Sequence, residues 1–182
     1  MKYVQPIREM DLIEKLKVIF KKQNYRNYFL FVFGINSGLR ISDILRLKVS
    51  DVRNKTHVVI IEKKTGKEKR FKLNTNLQAE VKEYISNMSN AEYLFTPVIG
   101  KSKKPISREM AWIILNKAAG KLGLEEIGTH TLRKTFGYHF YQKTKDVALL
   151  QNIFNHSSPS VTLRYIGINQ DIIDNAIDEF SL

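Results

Sequence analysis

The rhythm of apolar positions changes along this chain, and the changes mark its elements. Leu12, Ile13, Leu16, Ile19 and Phe20 recur at helical spacing and predict an amphipathic helix. Asp11, with Glu14 three residues later, gives that helix a start resembling a capping box. An almost wholly apolar stretch from Tyr28 to Ile35 predicts a buried second helix, which Gly38 ends because glycine tolerates a left-handed C-terminal turn. A third helix is expected from about Ser42, with Ile44, Leu45 and Leu47 turned inward. The period then shortens. His57 to Ile61 is rich in β-branched residues, Lys67 to Leu73 alternates charged and apolar side chains, and Lys63-Lys64-Thr65-Gly66 between them reads as a hairpin turn. Helical spacing resumes at Leu77, Val81, Tyr84 and Ile85, and Glu92 to Phe95 is a short extended piece. The prolines, glycine and lysines between Thr96 and Pro105 predict a loop. Ser107 is the expected N-cap of a helix holding Trp112, Ile114 and Leu115. Further helices are predicted over about 131–143 and 147–154, and from Pro159 behind a Ser158 cap. A last one over 170–180 places Ile173, Ala176, Ile177 and Phe180 on one stripe. The fold class is mostly α (α+β): a helical domain with a small antiparallel β-sheet.

Length supports one domain over residues 1–182. A chain of this size buries roughly 70% of the surface its unfolded form exposes, so it can build a real core. Charge alters the picture more. Thirty Lys and Arg against eighteen Asp and Glu leave a net +12, which favours polyanions and makes nucleic acid the leading partner class. An anionic membrane surface is the rival. The longest apolar cluster, Tyr28 to Ile35, is far short of the ~18 residues that suggest a spanning helix. The N-terminus, Met-Lys-Tyr-Val-Gln-Pro, shows no apolar signal segment, so no membrane partner and a cytoplasmic location, nucleoid-associated if the source is prokaryotic, are expected. The absence of cysteine excludes disulfides, thiolate metal sites and a cysteine nucleophile. No acidic cluster suggests a metal, and no cofactor is expected.

Candidate chemistry gathers in a few places. His130 and Arg133, in His-Thr-Leu-Arg, project from one face of a helix at a spacing of three. Arg40 follows the helix-ending Gly38 inside an apolar stretch, in Gly-Leu-Arg-Ile-Ser-Asp; an ion pair with Asp43 or Asp51 is its structural alternative. The segment from His156 to Tyr165 presents a tyrosine on a capped short helix nine residues after a histidine. With the Lys-Thr-Gly turn at Lys64 to Gly66 and the run His130 to Phe136, these segments occur in the order seen in the tyrosine recombinases, or phage integrases. The chain resembles the catalytic domain of that family, which is helical with a small sheet carrying a lysine.

The resemblance implies a site-specific recombinase that cuts and rejoins double-stranded DNA through a 3′-phosphotyrosyl intermediate, without metal or ATP. It assigns Tyr165 as nucleophile, Arg40 and Arg133 as a phosphate clamp, and His130 as base. His156 becomes a donor to the transition state, and Lys64 the acid for the leaving 5′-oxygen, with Lys63 and Lys67 as neighbours that a one-residue shift would select. Asp43 matches a position that supports the arginine. These types suit the chemistry. Guanidinium forks fit phosphate oxygens and stay charged, and a phenol with an ordinary pKa near ~10 needs a base. Lys67, Lys101, Lys103 and Lys104 are candidates for DNA phosphates. The sequence begins about forty residues before Arg40, so either an excised fragment or a stand-alone catalytic domain is expected, without the family's preceding DNA-clamping domain, and an accessory DNA-binding protein is an expected partner. A free monomer that assembles as a tetramer on DNA is also expected. Phe154-Asn155 stands where the family usually has Leu-Gly, a turn that asparagine can sustain in the left-handed conformation. The alternatives are a DNA-binding regulator derived from a recombinase, and a type IB topoisomerase-like strand-passage enzyme.

Overall fold

In a computed structural model of the chain, residues 4–100 and 102–180 are described, apart from the side chains of 175 and 176. Helix α1 (Met10–Gln23) buries Ile13, Leu16 and Phe20, as its spacing predicts. It begins one residue before Asp11, which caps nothing and instead pairs with Lys15 across one turn. The expected capping box is therefore a first-turn carboxylate beside the helix N-terminus. Helix α2 (Tyr25–Ser37) starts earlier than its apolar run, because the Asn24 side chain accepts the Asn27 N–H. Gly38 closes it with φ 63°. The predicted third helix is only the single turn α3 (Ile41–Ile44), followed by another, α4 (Val49–Val52).

Strands β1 (His57–Ile61) and β2 (Glu68–Lys72) pair antiparallel, His57 opposite Lys72 and Ile61 opposite Glu68. Residue parity sends Phe71 and Lys69 to the same inner face. The piece around Tyr93 forms one bridge, with Lys48, rather than a strand. Helix α5 (Thr75–Tyr84) is capped by Asn74, and α6 (Arg108–Gly120) by Ser107. The C-terminal part comprises α7 (Thr131–Thr144), α8 (Val147–Phe154), α9 (Pro159–Ile166) and α10 (Ile168–Asp178).

The main core joins α1, α2, the hairpin, α5 and α6, with Phe29 stacked on Tyr84 and Phe95. Helix α7 lies close against α2. A Cβ on Gly34 would come within 2.5 Å of Leu132, and one on Gly38 within 2.5 Å of Phe136. Those two positions let the arginine after α2 and the arginine on α7 approach one another. A second, smaller cluster of Leu150, Phe154, Ile166 and Ile168 carries α8 to α10. The chain start ties both parts together. Ile7 N–H donates to Thr135 Oγ1, His139 Nε2–H to Ile7 O, and Arg8 pairs with Asp171 of α10 at 2.9 Å. The predicted stripe on α10 is not packed: Ile173, Ile177 and Phe180 are exposed, as is Ile172. Ala176 lies outside the described side chains.

Candidate active site

A groove of about 820 Å³ runs between α3, the hairpin turn, the start of α6 and the start of α7. Arg40, Lys64 and His130 line it together, as do Arg46, Lys63 and Arg108. Lys63 is the neighbour that a one-residue shift of the hairpin would select, whereas Arg46 and Arg108 were not singled out by the sequence motifs. Their basic character would have been legible only with the knowledge that these loops converge.

Tyr165 sits deeper. Its hydroxyl is 3.2 Å from His130 Nδ1, and its ring meets the rings of His130, Phe154 and His156 edge-on. Lys134, which sequence reasoning passed over, places its ammonium 5.2 Å from the centre of the Tyr165 ring. The short helix α9 aims the tyrosine: Ser158 Oγ accepts the Val161 N–H, Pro159 fixes the first turn, and Gly167 ends it. Burial pushes the Tyr165 hydroxyl above its ordinary pKa, against the opposing pull of Arg133 and Arg40. Burial also pushes His130 below its ordinary value, helped by Arg133, Lys134, Arg108 and Arg40. At neutral pH His130 is therefore an unprotonated acceptor facing a protonated phenol. With the Nε2–H tautomer, Nδ1 accepts the hydroxyl proton.

Arg133 is only 2% exposed and is held by backbone. Nη1 donates to Gly38 O at 2.6 Å and Nη2 to Phe154 O at 2.9 Å, while the guanidinium lies 4.1 Å from the centre of the Phe154 ring. Two of its five N–H groups are thereby used, and the Tyr165 hydroxyl is a further hydrogen-bond partner of the guanidinium. His156 is pushed down to about 4, by burial first and then by Arg133, Arg40 and Lys69. Its Nδ1 is 3.1 Å from Thr162 Oγ1, whose own proton goes to Ser158 O. His156 thus donates to Thr162, and it can donate from Nε2 as well once an anion nearby favours its second proton. Asn155 takes φ 53°, so the left-handed turn expected before His156 is present.

Arg40 pairs with neither of the carboxylates considered for it. Its Nη1 lies 2.7 Å from Glu62 Oε1, and the Glu62 side chain has no exposure at all. Asp43 instead accepts the Lys63 N–H at 2.9 Å, so it supports the hairpin turn rather than the guanidinium. Lys69 is 8% exposed, donates to Ile153 O at 2.6 Å and lies 3.9 Å from Glu62; burial, with Arg133, lowers it to about 8. The alternation that puts Phe71 and Leu73 inward also puts Lys69 inward, and that was the available signal. Lys67, Lys103 and Lys104 are exposed but do not line the groove, and Lys101 lies outside the described residues.

A tyrosine bonded to a neutral histidine, two arginines, and a basic groove above them define a phosphoryl-transfer catalytic domain. The chain belongs to the phage integrase family, whose model matches residues 7–171. It is 57% identical over 171 residues to the probable integrase/recombinase YoeC of Bacillus subtilis (strain 168), covering 94% of this chain and 93% of that protein. It is 26% identical over 171 residues to tyrosine recombinase XerA of Pyrococcus horikoshii, covering 93% of this chain but 60% of that protein. Among solved structures, the crystal structure of XerA recombinase matches 96% of this chain and 65% of that chain, with TM-score 0.74 and 19% identity. XerH site-specific recombinase, in a post-cleavage complex with palindromic difH substrate, matches with TM-score 0.68 and 20% identity, covering 96% of this chain and 53% of that one. At such identities the structures establish a shared fold.

Proposed function

We propose that this chain cuts and rejoins double-stranded DNA through Tyr165, which attacks from within its own chain. The contact between His130 Nδ1 and the Tyr165 hydroxyl, 3.2 Å apart beside Arg133, carries the reading. Full transfer of the phenolic proton before attack is uphill, since Tyr165 is raised and His130 lowered. The proton therefore leaves as the O–P bond forms and the phenol becomes acidic. Arg40 and Arg133 supply fixed donors to the equatorial oxygens, each worth roughly 3–4 kcal/mol in comparable sites. His156 adds a donor, and Lys64, at the groove, protonates the departing 5′-oxygen. The 3′-phosphotyrosyl bond retains the energy of the cut linkage, so the scheme needs no ATP, and resealing reverses the steps on a new 5′-hydroxyl.

Double-stranded DNA fits the basic groove and the net charge of +12. Assembly as a tetramer on DNA is supported by the exposed apolar residues of α10, and an accessory DNA-binding protein is a further proposed partner. Among the described residues no helix is long and apolar enough to cross a membrane.

The test is covalent trapping on a pool of nicked duplexes at low salt. The expected result is a protein–DNA band that Tyr165→Phe abolishes. Mixing Tyr165→Phe with Arg133→Ala should not restore the band, because the nucleophile serves its own arginine; restoration would mean attack in trans. Salt-sensitive DNA binding with no band from the unmodified protein would overturn the catalytic reading in favour of a regulator.

A further inference from the structure

Glu62 touches several parts of the site at once without belonging to the family-matched set. It follows β1 and closes the turn that carries Lys64: its N–H donates to Lys67 O, and its carbonyl accepts the Gly66 N–H, both at 2.9 Å. Its side chain is fully buried. Oε1 faces Arg40 Nη1 at 2.7 Å and Lys69 Nζ at 3.9 Å. Oε2 accepts the Thr65 hydroxyl at 2.8 Å and, at 3.5 Å, the Asn155 amide of the turn before His156. One carboxylate thus meets the clamp arginine, the lysine turn and the histidine turn.

The Arg40 contact has an informative shape. It is a close ion pair made through a single nitrogen, Nη1, which is itself buried. A bidentate lock would have consumed the donors that a phosphate requires. A pair made through one nitrogen holds the charge in place and leaves the other donors of a groove-lining arginine for incoming oxygens. Burying a carboxylate is costly unless it is paired and bonded. Glu62 nonetheless stays ionised: burial pushes its carboxyl up, while Thr65, Arg40 and Lys69 more than offset that and hold it below its ordinary value.

We propose that Glu62 is a positioning residue for strand cleavage, setting Arg40 and the Lys64 turn in one arrangement before DNA arrives. The proposal rests on the recombinase reading above. It predicts an effect on the chemical step rather than on binding, since removing the carboxylate makes the groove more positive.

The test compares Glu62→Gln with the unmodified full chain. Single-turnover formation of the covalent complex on the nicked duplex pool should fall about 30-fold, with affinity for the same duplexes unchanged or tighter and the thermal midpoint still cooperative. In an Arg40→Lys background the same substitution should cost less than threefold, because coupled residues are non-additive whereas a merely structural lesion adds fully. Hydrogen exchange across 63–67 should accelerate at least tenfold, a readout that needs no catalysis. Glu62→Asp, which keeps the charge, should recover part of the rate. Unchanged exchange with an unchanged rate, or full additivity with Arg40→Lys, overturns the proposal. If the unmodified protein traps no DNA, the recombinase reading fails instead, and the exchange measurement still judges the coupling of Glu62 to the turn.

Discussion

Two regions of unequal solidity share the site. The first, α1 to α7 with the hairpin, rests on a continuous core in which Phe29, Leu30, Phe33 and Ile44 have no exposure, and it carries Arg40, Lys64 and His130. The second, α8 to α10, rests on the cluster of Leu150, Phe154, Ile166 and Ile168, and it carries His156 and Tyr165. Segments with fewer buried apolar contacts open at lower free energy than the core. Arg40 and Tyr165, the proposed clamp and nucleophile, thus have separate supports, and docking the second region on the first brings them together. Arg133 spans the join, with one hydrogen bond to Gly38 O at the end of α2 and another to Phe154 O at the end of α8.

Breaking that bridge should have the largest effect. Arg133→Ala removes a proposed phosphate donor and orphans two buried carbonyls. Cleavage should fall on the order of 10²–10³-fold, and urea unfolding should show a loss of about 3 kcal/mol. An unchanged unfolding midpoint would mean that the two regions do not depend on it. Next comes Gly137→Ala on α7, whose added Cβ would lie 2.7 Å from both Phe154 and Ile166. Overpacking of this kind costs about 1–3 kcal/mol. Amide exchange should quicken in α8 to α10 and stay unchanged in α1 and α2. A uniform change would erase the distinction between the regions.

A smaller effect separates them by pH. His156 titrates at about 4 in the folded chain and His130 below its ordinary value, so both take up protons on unfolding in acid. Between the unfolded value near ~6.5 and the lower folded values the unfolded state binds more protons, so stability falls as pH falls through that window. Thermal midpoints at several pH values should show this, and His156→Asn should flatten the slope. With His130 as the proposed base, cleavage should hold as pH drops to 6.5, and an acid limb above that value would count against His130 in that role. The smallest effect belongs to the exposed loop. Lys103→Ala with Lys104→Ala should reduce the salt slope of DNA binding by up to about 2, leaving the rate at saturating DNA unchanged.

Legibility in the sequence followed the range of the interaction. Ser107 and Ser158 cap helices where expected, α8 has the boundaries its apolar run implies, and Gly38 ends α2, because each is decided within one turn of chain. Asp11 misled because Glu9 already occupies the start of α1, and the helix expected at Ser42 stops after one turn as the chain bends at Leu45. The family-matched residues do converge: Arg40, Lys64 and His130 line one groove, and Tyr165 reaches His130. Their partners were not legible. Glu62 lies in a lysine-rich turn that reads as solvated, and Lys134 looks like an ordinary helical surface residue, yet both are buried.

The sequence by itself determined which reactive groups this protein owns, and the local elements that present them, since propensity, capping and residue period act over a few residues. Only the tertiary structure decided which charge faces which. Arg40 meets Glu62 rather than Asp43 or Asp51, Asp43 holds the hairpin, and Arg133 joins two parts of the chain. The reason is physical. A buried charge is stabilised by whatever opposite charge or dipole the packed backbone brings within a few ångströms, and packing, not proximity along the chain, sets that list.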